Sequence, residues 1–400
     1  MRAVTPIAVP EGIAQRRPGV PVVRAIPGRA SRTQQAVSEL LVHSARGERN
    51  LTAPGSEARS DLVQAARYHR VAPLVHLALR DRSPEDAALL RVDRDHAMGI
   101  HIRATIMLEQ FGAVLDDIPW VTFKGPFLSE TAHPAQGLRT YHDIDTLVDP
   151  TDLREVAHRL LDAGWKIADF DDMLRNPQTP GEMHWVGPSG LLMDLHWSMI
   201  NMAVRRARFA VPTPELLGRR TPVMLGLNRA WALSPADALV HVCLHAALTG
   251  ANRLLLLVDA DRLAAQIEDW DEVATRARAW RAEPHVALVL ARAKRVLGTP
   301  LPQDLDHRLG LSAPFGVLTA TVDRFAPVPR ARQEPGLARL VARAAQPGAA
   351  RTLVAAGRNA AVGVRERTRR TPPIARSARV KAGEDALNVY LDAVESAVTA

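Results

Sequence analysis

Apolar residues recur every three or four positions from about residue 56 to residue 117. Leu62, Ala66 and Val71 fall close to a 3.6-residue period, which is typical of a helix with one buried face. Polar and charged residues occupy the positions between them, as on the solvent side of such helices. We therefore predict a helical region over residues 51–117.

The pattern changes at Ile118, where short apolar runs with a two-residue alternation replace the helical period. Two predicted strands alternate with two helices, and a hairpin around the turn-forming sequence GPSG follows them. This order is typical of a small α/β unit with a mixed sheet. We predict it over residues 118–212, from the segments IPWVTFKG, PFLSETAH, YHDIDTLV, DPTDLREVAHRLLDAGW and EMHWVGPSGLLMDLHWSM.

The helical period returns at residue 213 and continues to residue 325, which predicts a helical accessory domain. Residues 1–50 are rich in arginine and proline, and we predict a basic, largely disordered segment with one helix within residues 35–50. Residues 326–400 are poorer in apolar residues and richer in arginine, proline and glycine, and we predict a basic, partly disordered tail that ends in an amphipathic helix. The predicted fold class is α+β, a small mixed β-sheet core flanked by N- and C-terminal helical regions.

A chain of 400 residues, 47% of them hydrophobic, is long enough to bury a sizeable core. Its one cysteine, Cys243, rules out an internal disulfide and fits a reducing compartment. No run of about 18 uncharged apolar residues predicts a transmembrane helix, and the first residues lack the apolar segment of a signal peptide. We therefore expect a cytoplasmic protein with no membrane partner.

The formal net charge of +8 is unevenly distributed. Residues 1–50 carry eight arginines and three acidic residues, whereas residues 330–400 carry 13 basic and six acidic residues. The segment between them therefore has a net charge of −4. Basic ends are usually solvated or loosely associating tails, so the charge does not favour sequence-specific nucleic-acid binding.

Three aspartates interrupt strands whose other residues are typical of a core. Asp143 and Asp145 are two residues apart, so both side chains point to one face of their strand. Asp194 and His196 share a strand face in the same way. Like charges held side by side are unfavourable without a cation, and the partner could be a metal, an arginine or only water. Carboxylates on neighbouring strands suit magnesium, and two such ions can clamp an in-line displacement at phosphorus.

Each of these residues also has a purely structural explanation. Asp143 could cap a turn, and Asp145 could pair with Arg139. Lys124 could be an ordinary lysine at the end of a strand, and Arg139 could be no more than an ion-pair partner. These alternatives remain open at the level of sequence.

The histidines admit similar alternatives. His196 lies on the Asp194 face and could assist there, but a satisfied core histidine is the simpler interpretation, and the same holds for His184. His241 and His245 have the i, i+4 spacing of a zinc site on a helix. No acidic motif accompanies them, which favours a packing or capping role.

Three segments in order, VTFKGPFL, GLRTYHDIDTLV and LLMDLHW, resemble the uncharacterised nucleotidyltransferase family of the DNA polymerase β-like superfamily. Members of that family show an LKG strand end, a strand with an arginine followed by DIDLLV, and a DLHW strand. The downstream segments HVCLHAA, LLVDADRLAA and DWDEV also fit, so the resemblance covers roughly residues 55–305. It implies a nucleotidyltransferase core and transfer of a nucleoside monophosphate to an acceptor, with release of pyrophosphate.

The resemblance implies roles for the acidic residues. Asp143 and Asp145 would be catalytic and would ligate two magnesium ions. Asp194 would complete the metal site and could help to deprotonate the attacking hydroxyl group. His196 is a candidate accessory residue beside it.

The resemblance also implies how the nucleotide is held. Lys124 and Gly125 occupy the place where the superfamily usually has a Gly-Ser pair that binds the triphosphate. The serine is absent here and Pro126 follows, so Lys124 could supply the phosphate contact as a point charge. Arg139, four residues before Asp143, could also reach a phosphate.

The expected donor is a nucleoside triphosphate such as ATP, and the acceptor is not specified. A small molecule, peptide or protein is favoured over RNA because the middle of the chain is acidic. An enzyme that moves another phosphoryl group or acts on an RNA end is an alternative within the same fold. A catalytically degenerate protein that binds a nucleotide or a partner is the alternative from a different class, and the missing serine is its main argument.

Overall fold

The computed structural model describes residues 32–168, 178–328, 336–368 and 385–399, without the side chains of residues 365–368 and 399. The predicted disordered segment up to residue 31 and residues 329–335, 369–384 and 400 of the basic tail lie outside the described residues. Most of the tail is described, and it contains the helices Leu337–Ala344 and Ala349–Thr368. The described part of the tail ends in the predicted helix, Ala386–Thr399.

A seven-stranded mixed sheet forms the centre of the fold, in the order β3-β4-β5-β2-β1-β7-β6. The pairs β2–β5 and β1–β7 are parallel, and the other neighbours are antiparallel. The strands are β1 Trp120–Thr122, β2 Asp143–Val148, β3 Lys166–Ile167, β4 Glu182–Val186, β5 Leu192–His196, β6 Thr221–Leu225 and β7 Asn228–Ala232.

Helices precede the sheet, connect its strands and follow it. Before and between the strands lie Arg32–Ala45, the 3-10 turn Ser56–Ala58, Arg59–Tyr68, Ala72–Leu79, Pro84–Ala88, Arg91–Leu115, Gly125–Thr131, Leu153–Asp162, Ala203–Arg206 and Thr213–Gly218. After the strands lie Pro235–Thr249, Leu254–Ala264, Trp270–Ala279, Glu283–Leu297, Leu305–Arg308, Ala313–Phe325, Leu337–Ala344, Ala349–Thr368 and Ala386–Thr399. This mixed α+β architecture, with helices on both sides of the sheet, confirms the predicted fold class.

The prediction that the chain is helical from residue 213 onward is wrong for the hairpin β6–β7. Strand β7 pairs in parallel with β1 through Thr122 and Ala232, so the hairpin extends the central sheet at its second edge. Gly226 takes a positive φ of 62° at the turn, a conformation that glycine adopts without strain. The hydrophobic pattern of the hairpin is weak: Val223 is half-buried and Met224 is exposed, as on an edge strand. Strand β3, only two residues long, is also absent from the sequence prediction.

One face of the sheet packs against the helices Arg91–Leu115, Leu153–Asp162 and Ala386–Thr399. The last of these docks behind β4 and β5. The Tyr390 hydroxyl donates to the Pro180 carbonyl at 2.9 Å, and Trp197 Nε1 donates to Tyr390 Oη at 3.0 Å. Apolar side chains of six strands complete this core: Trp120, Ile144, Val148, Met183, Trp185, Met193, Leu195, Leu225 and Ala230.

The opposite face joins a larger apolar core formed mainly by helices. Val121, Phe123 and Leu147 belong to it, together with the buried side of the helix Pro235–Thr249. Ser234 caps that helix by accepting from the Asp237 amide, and Gly250 ends it in the left-handed conformation. The aspartates of β2 and β5 lie on this face of the sheet, so their surroundings come from both the sheet and the helical region.

Within the described ranges, none of the helices combines the length and the apolar character that crossing a membrane would require.

Candidate active site

Strands β2 and β5 run in parallel, and their register sets the aspartates side by side. Asp145 pairs with Asp194 across the two strands, while Asp143 pairs with Leu192. Because paired residues of neighbouring strands point to the same face, the carboxylates of Asp145 and Asp194 are neighbours. Asp143 lies two residues nearer the start of β2 and is more exposed than Asp145, which is buried.

Strand β4 adds two more polar side chains to this face. Its register pairs His184 with Asp194 and Glu182 with His196. The face therefore carries one row formed by His184, Asp194 and Asp145, and an adjacent row formed by Glu182 and His196. Glu182 also accepts a hydrogen bond from the Asn201 amide at 2.5 Å.

Asp145 has two cationic or hydrogen-bonding partners in the structure. Lys124 Nζ lies 2.5 Å from its Oδ1, and His196 Nε2 lies 3.2 Å from the same oxygen. Burial opposes ionisation of Asp145, but the charges of Lys124 and His196 outweigh it and hold the pKa of this carboxyl well below its usual range. Lys124 is therefore the counter-ion of Asp145, in place of the arginine considered from the sequence.

Asp194 differs from Asp145 in the surroundings of one carboxylate oxygen, Oδ1. Its Oδ1 is buried and has no hydrogen-bond partner among the described residues. Among the described residues, the nearest basic side chain is His184, whose Nε2 lies 3.8 Å from this oxygen. Burial and the neighbouring charge of Asp145 together raise the pKa of Asp194 to about 7. An orphaned, buried carboxylate oxygen of this kind is costly to retain unless a cation or a donor binds it.

His196 lies between two carboxylates. Its Nε2 faces Asp145, and its Nδ1 lies 3.3 Å from Glu182 Oε2. Burial alone would lower the pKa of this imidazole, but Asp145 and Glu182 raise it above the usual value. The ring of Phe123 packs edge-on against His196, with 5.1 Å between the ring centroids. Asp145, Glu182 and Phe123 thus hold the His196 ring in position.

Lys124 and Gly125 form a tight turn between β1 and the helix Gly125–Thr131. Gly125 has a positive φ of 37°, and a Cβ atom there would lie 3.2 Å from the carbonyl oxygen of Asp143. Glycine therefore allows the turn to pass close to the beginning of β2. Pro126 follows in the first turn of the helix and has no N–H group to offer a phosphate.

Arg139 does not extend freely toward the carboxylates of β2. Its Nε and Nη2 donate to the carboxylate of Asp259 at 3.0 Å and 2.9 Å, in a buried bidentate pair. His133 Nε2 lies 3.2 Å from the same carboxylate. The contacts of Arg139 are thus those of the ion-pair alternative, because its Nε and Nη2 are both committed to Asp259. The partner predicted from the sequence, Asp145, acts on Arg139 only through its charge.

The model of the family described as uncharacterised nucleotidyltransferase matches residues 56–298. The chain belongs to this family. No curated protein and no solved structure matches the chain in the corresponding searches. Membership supports a nucleotidyl transfer role and a nucleoside triphosphate substrate.

The family match runs from the helix Arg59–Tyr68 to the helix Glu283–Leu297, so it includes both partners of the Arg139–Asp259 pair. Asp259 lies in the segment LLVDADRLAA, and Arg139 lies in GLRTYHDIDTLV. Two segments that carry the resemblance, 120 residues apart in sequence, are thus joined by one buried ion pair. This contact joins the helical region to the segment that leads into the strand carrying Asp143 and Asp145.

Two groups of side chains in the described part of the chain could hold a metal ion. One consists of Asp145, Asp194 and His196, and the other of Glu182, His184 and Asp194. Asp194 belongs to both, and its orphaned Oδ1 is the atom that a cation would satisfy. Carboxylate oxygens from three strands suit a hard divalent cation such as magnesium. Asp143 belongs to neither group, so the three aspartates of the sequence prediction are not equivalent in the structure.

His241 and His245 belong to neither of these groups. The His241 ring packs edge-on against Phe123 with 4.9 Å between centroids, and burial followed by the charge of Lys124 lowers the pKa of both imidazoles. Both histidines are therefore neutral, and the contacts of His241 are those of the packing role that the sequence favoured.

Sequence analysis did not single out two residues that the structure places at this site, Glu182 and Asp259. Glu182 and His184 have the same i, i+2 spacing in EMHWV as the two aspartates have in HDIDT. That alternation was a usable signal, because the hairpin sets EMHWV beside LLMDLHW. Asp259 gave no comparable signal, since only the folded chain brings its helix to Arg139.

Proposed function

We propose that this protein is a magnesium-dependent nucleotidyltransferase. A hydroxyl or similar nucleophile of the acceptor attacks the α-phosphorus of a nucleoside triphosphate. A new bond forms between the acceptor and the α-phosphorus while the bond to the β-phosphate oxygen breaks, and the electron pair leaves with pyrophosphate. The acceptor retains the nucleoside monophosphate, and its proton passes to a base at the site. No covalent enzyme intermediate is required.

The observation that carries this proposal is the pair Asp145 and Asp194. Adjacent parallel strands hold the two carboxylates side by side, and one buried oxygen of Asp194 has no partner among the described residues. We propose that Asp143, Asp145 and Asp194 would hold two magnesium ions together with the substrate phosphates. Bound magnesium would neutralise charge on the attacking and leaving oxygens.

The other side chains around this site have separate proposed roles. Asp194 is the proposed base that accepts the proton of the attacking hydroxyl. Lys124 is the proposed phosphate ligand, and it must exchange its contact with Asp145 for a phosphate oxygen when magnesium and nucleotide bind. His196 and Glu182 hold Asp145 in position. Arg139, through Asp259, orients the segment that leads into β2.

The direct test is calorimetric titration with each of the four nucleoside triphosphates, in the presence and absence of magnesium. We expect one or more of them to bind only with magnesium, and the nucleotide that binds identifies the donor. That nucleotide, labelled at the α-phosphate, then reports transfer to candidate small-molecule, peptide and protein acceptors. Absence of binding by all four would contradict the proposal.

A second prediction concerns the pH dependence of stability. Folded Asp194 has a pKa of about 7, whereas an unfolded aspartate has a pKa of about 3.9, so folding takes up a proton between these values. This group therefore lowers the free energy of unfolding as pH rises from about 4 to about 7. Asp194→Asn removes the penalty, and at pH 8 it should stabilise the metal-free protein by on the order of 2 kcal/mol.

The measurement is thermal unfolding at pH 5 and pH 8, with and without magnesium. In the wild type the magnesium-induced rise in Tm should be larger at pH 8, and in Asp194→Asn it should disappear. Asp162→Asn, at an exposed helix end, is the matched control and should behave as the wild type. A magnesium effect that persists in Asp194→Asn would remove this residue from the metal site.

The catalytically degenerate alternative also has an observation in its favour. Lys124 Nζ lies 2.5 Å from the Asp145 oxygen that a metal would need, and Pro126 replaces the serine of the superfamily pattern. In that case the titration would show nucleotide binding that is independent of magnesium, and no labelled nucleotide would be transferred.

A further inference from the structure

The charge of Asp143, at the beginning of β2, acts on Arg70, which lies at a junction between two helices of the surrounding helical region. Hydrogen bonds join the turn after the helix Arg59–Tyr68 to the beginning of the helix Leu254–Ala264. The first two backbone amides of the second helix donate to the His69 ring and to the His69 carbonyl oxygen, each at 3.2 Å. Asn252 donates to the Tyr68 hydroxyl at 2.9 Å. These hydrogen bonds fix the two backbones relative to each other.

Two arginines extend from this junction, one from each side. Arg70 follows His69 and is half-buried, and Arg253 immediately precedes the second helix. The guanidinium of Arg253 lies over the Tyr68 ring, 5.7 Å from its centroid. Within the described part of the chain, neither arginine forms a salt bridge or a side-chain hydrogen bond.

The surroundings of Arg70 are unfavourable for a cation. Burial lowers the pKa of its guanidinium, and the positive charges of Arg253 and Arg139 lower it further, opposed by Asp143. Arg139 is paired with Asp259. Among the main charges that act on Arg70, Asp143 is the acidic one. Two half-buried arginines that have no carboxylate partner among the described residues are complemented by an anion that offers several oxygens.

The backbone at Arg70 adds a second cost. Its φ is 58°, at the helix end where glycine is the unstrained residue. Arg281 shares this conformation, with the same φ of 58°, at the end of the helix Trp270–Ala279. Arg281 is exposed, so the strained backbone alone does not mark a binding site. What distinguishes Arg70 is its burial among like charges, next to the strand of the catalytic aspartates.

We propose that Arg70 and Arg253 bind the β- and γ-phosphates of the nucleoside triphosphate, the part that leaves as pyrophosphate. This inference rests on the proposed function and assigns the contact that the absent serine would make. The planar guanidinium groups present paired N–H donors that match phosphate oxygens, and their charge balances that of the departing pyrophosphate. The phosphate site is thereby built from the helical region, whereas the metal site is built from the sheet.

The test compares the full-length wild type with Arg70→Gln and Arg253→Gln by calorimetry. The ligands are the nucleoside triphosphates with magnesium, the corresponding monophosphates, and inorganic tripolyphosphate with magnesium. Each substitution should weaken binding of triphosphate and tripolyphosphate roughly 10- to 100-fold, the range expected for one charge-assisted contact. Binding of the monophosphate should change less than about twofold.

Arg281→Gln is the matched control, because it removes an arginine from the same backbone conformation on the surface. It should leave all affinities unchanged. The melting temperature separates binding from structure: Arg70→Gln should melt at or above the wild-type temperature, since it removes a buried unpaired charge. A lower melting temperature together with equal loss of monophosphate and triphosphate binding would show a structural role and overturn the proposal.

The outcomes also separate this inference from the proposed function. Magnesium-dependent triphosphate binding that is unchanged in both arginine variants would retain the function and overturn the arginine assignment. Tripolyphosphate binding that requires both arginines, in a protein that binds no nucleoside triphosphate, would retain the anion site and overturn the function. If the wild type binds none of these phosphate compounds, both fail.

Discussion

Asp145→Asn should reduce magnesium-dependent nucleotide binding by about 100-fold or more. The substitution keeps the size of the side chain but removes the charge that faces both the proposed metal and Lys124. Calorimetric titration of the donor nucleotide at fixed magnesium measures this loss directly. Asp117→Asn, at a surface aspartate that is 81% exposed, is the control and should bind as the wild type does.

The same substitution also affects stability, and this effect must be separated from binding. Without the carboxylate, the buried ammonium of Lys124 and the imidazole of His196 lose their shared partner, which should cost on the order of 3 kcal/mol. Asp145→Asn/Lys124→Met removes the stranded cation and should recover much of that loss in urea unfolding. Nucleotide binding should not recover. If Asp145→Asn alone binds magnesium and nucleotide as the wild type does, Asp145 is not a metal ligand.

Asp259→Ala should lower the free energy of unfolding by about 3–5 kcal/mol. It leaves the buried guanidinium of Arg139 without a carboxylate, at a position where water does not replace the lost partner. The structure provides a matched control in the pair Arg67–Asp93, which has the same bidentate geometry but an arginine side chain that is 53% exposed. Asp93→Ala should cost about 1 kcal/mol or less.

Denaturant unfolding of the single variants and of Arg139→Met/Asp259→Leu completes this comparison. The double variant should be more stable than Asp259→Ala, because it replaces the pair with apolar side chains rather than stranding one charge. Equal effects of Asp259→Ala and Asp93→Ala would show that the Arg139 pair contributes no more than a surface ion pair.

Much of the sheet was predictable because strand alternation is a local property. The faces of Asp143, Asp145, Asp194 and His196 follow from their spacing alone, whatever the strands pair with. The turns and helix ends between these strands were also marked by glycine and proline. The hairpin β6–β7 was missed because an edge hairpin with exposed apolar residues does not show the alternation of a half-buried strand.

The partners of the charged residues were not predictable in the same way. The sequence placed Arg139 four residues from Asp143, and proximity in sequence favoured an interaction with β2. In the structure its partner is Asp259, which the tertiary fold brings into contact. Arg70 gave no local signal either, since an unpaired arginine in a turn is recognisable only when its neighbours in space are known.

The helix Ala386–Thr399 covers the rear of β4 and β5 through Tyr390 and Trp197, although it follows them by almost 190 residues. During synthesis on the ribosome the strands β4 and β5 are therefore complete long before their apolar rear surface is covered. At ordinary elongation rates this interval is roughly 10–40 s. Throughout that time the nascent chain exposes Trp197 and its apolar neighbours, which makes this surface a candidate for chaperone binding.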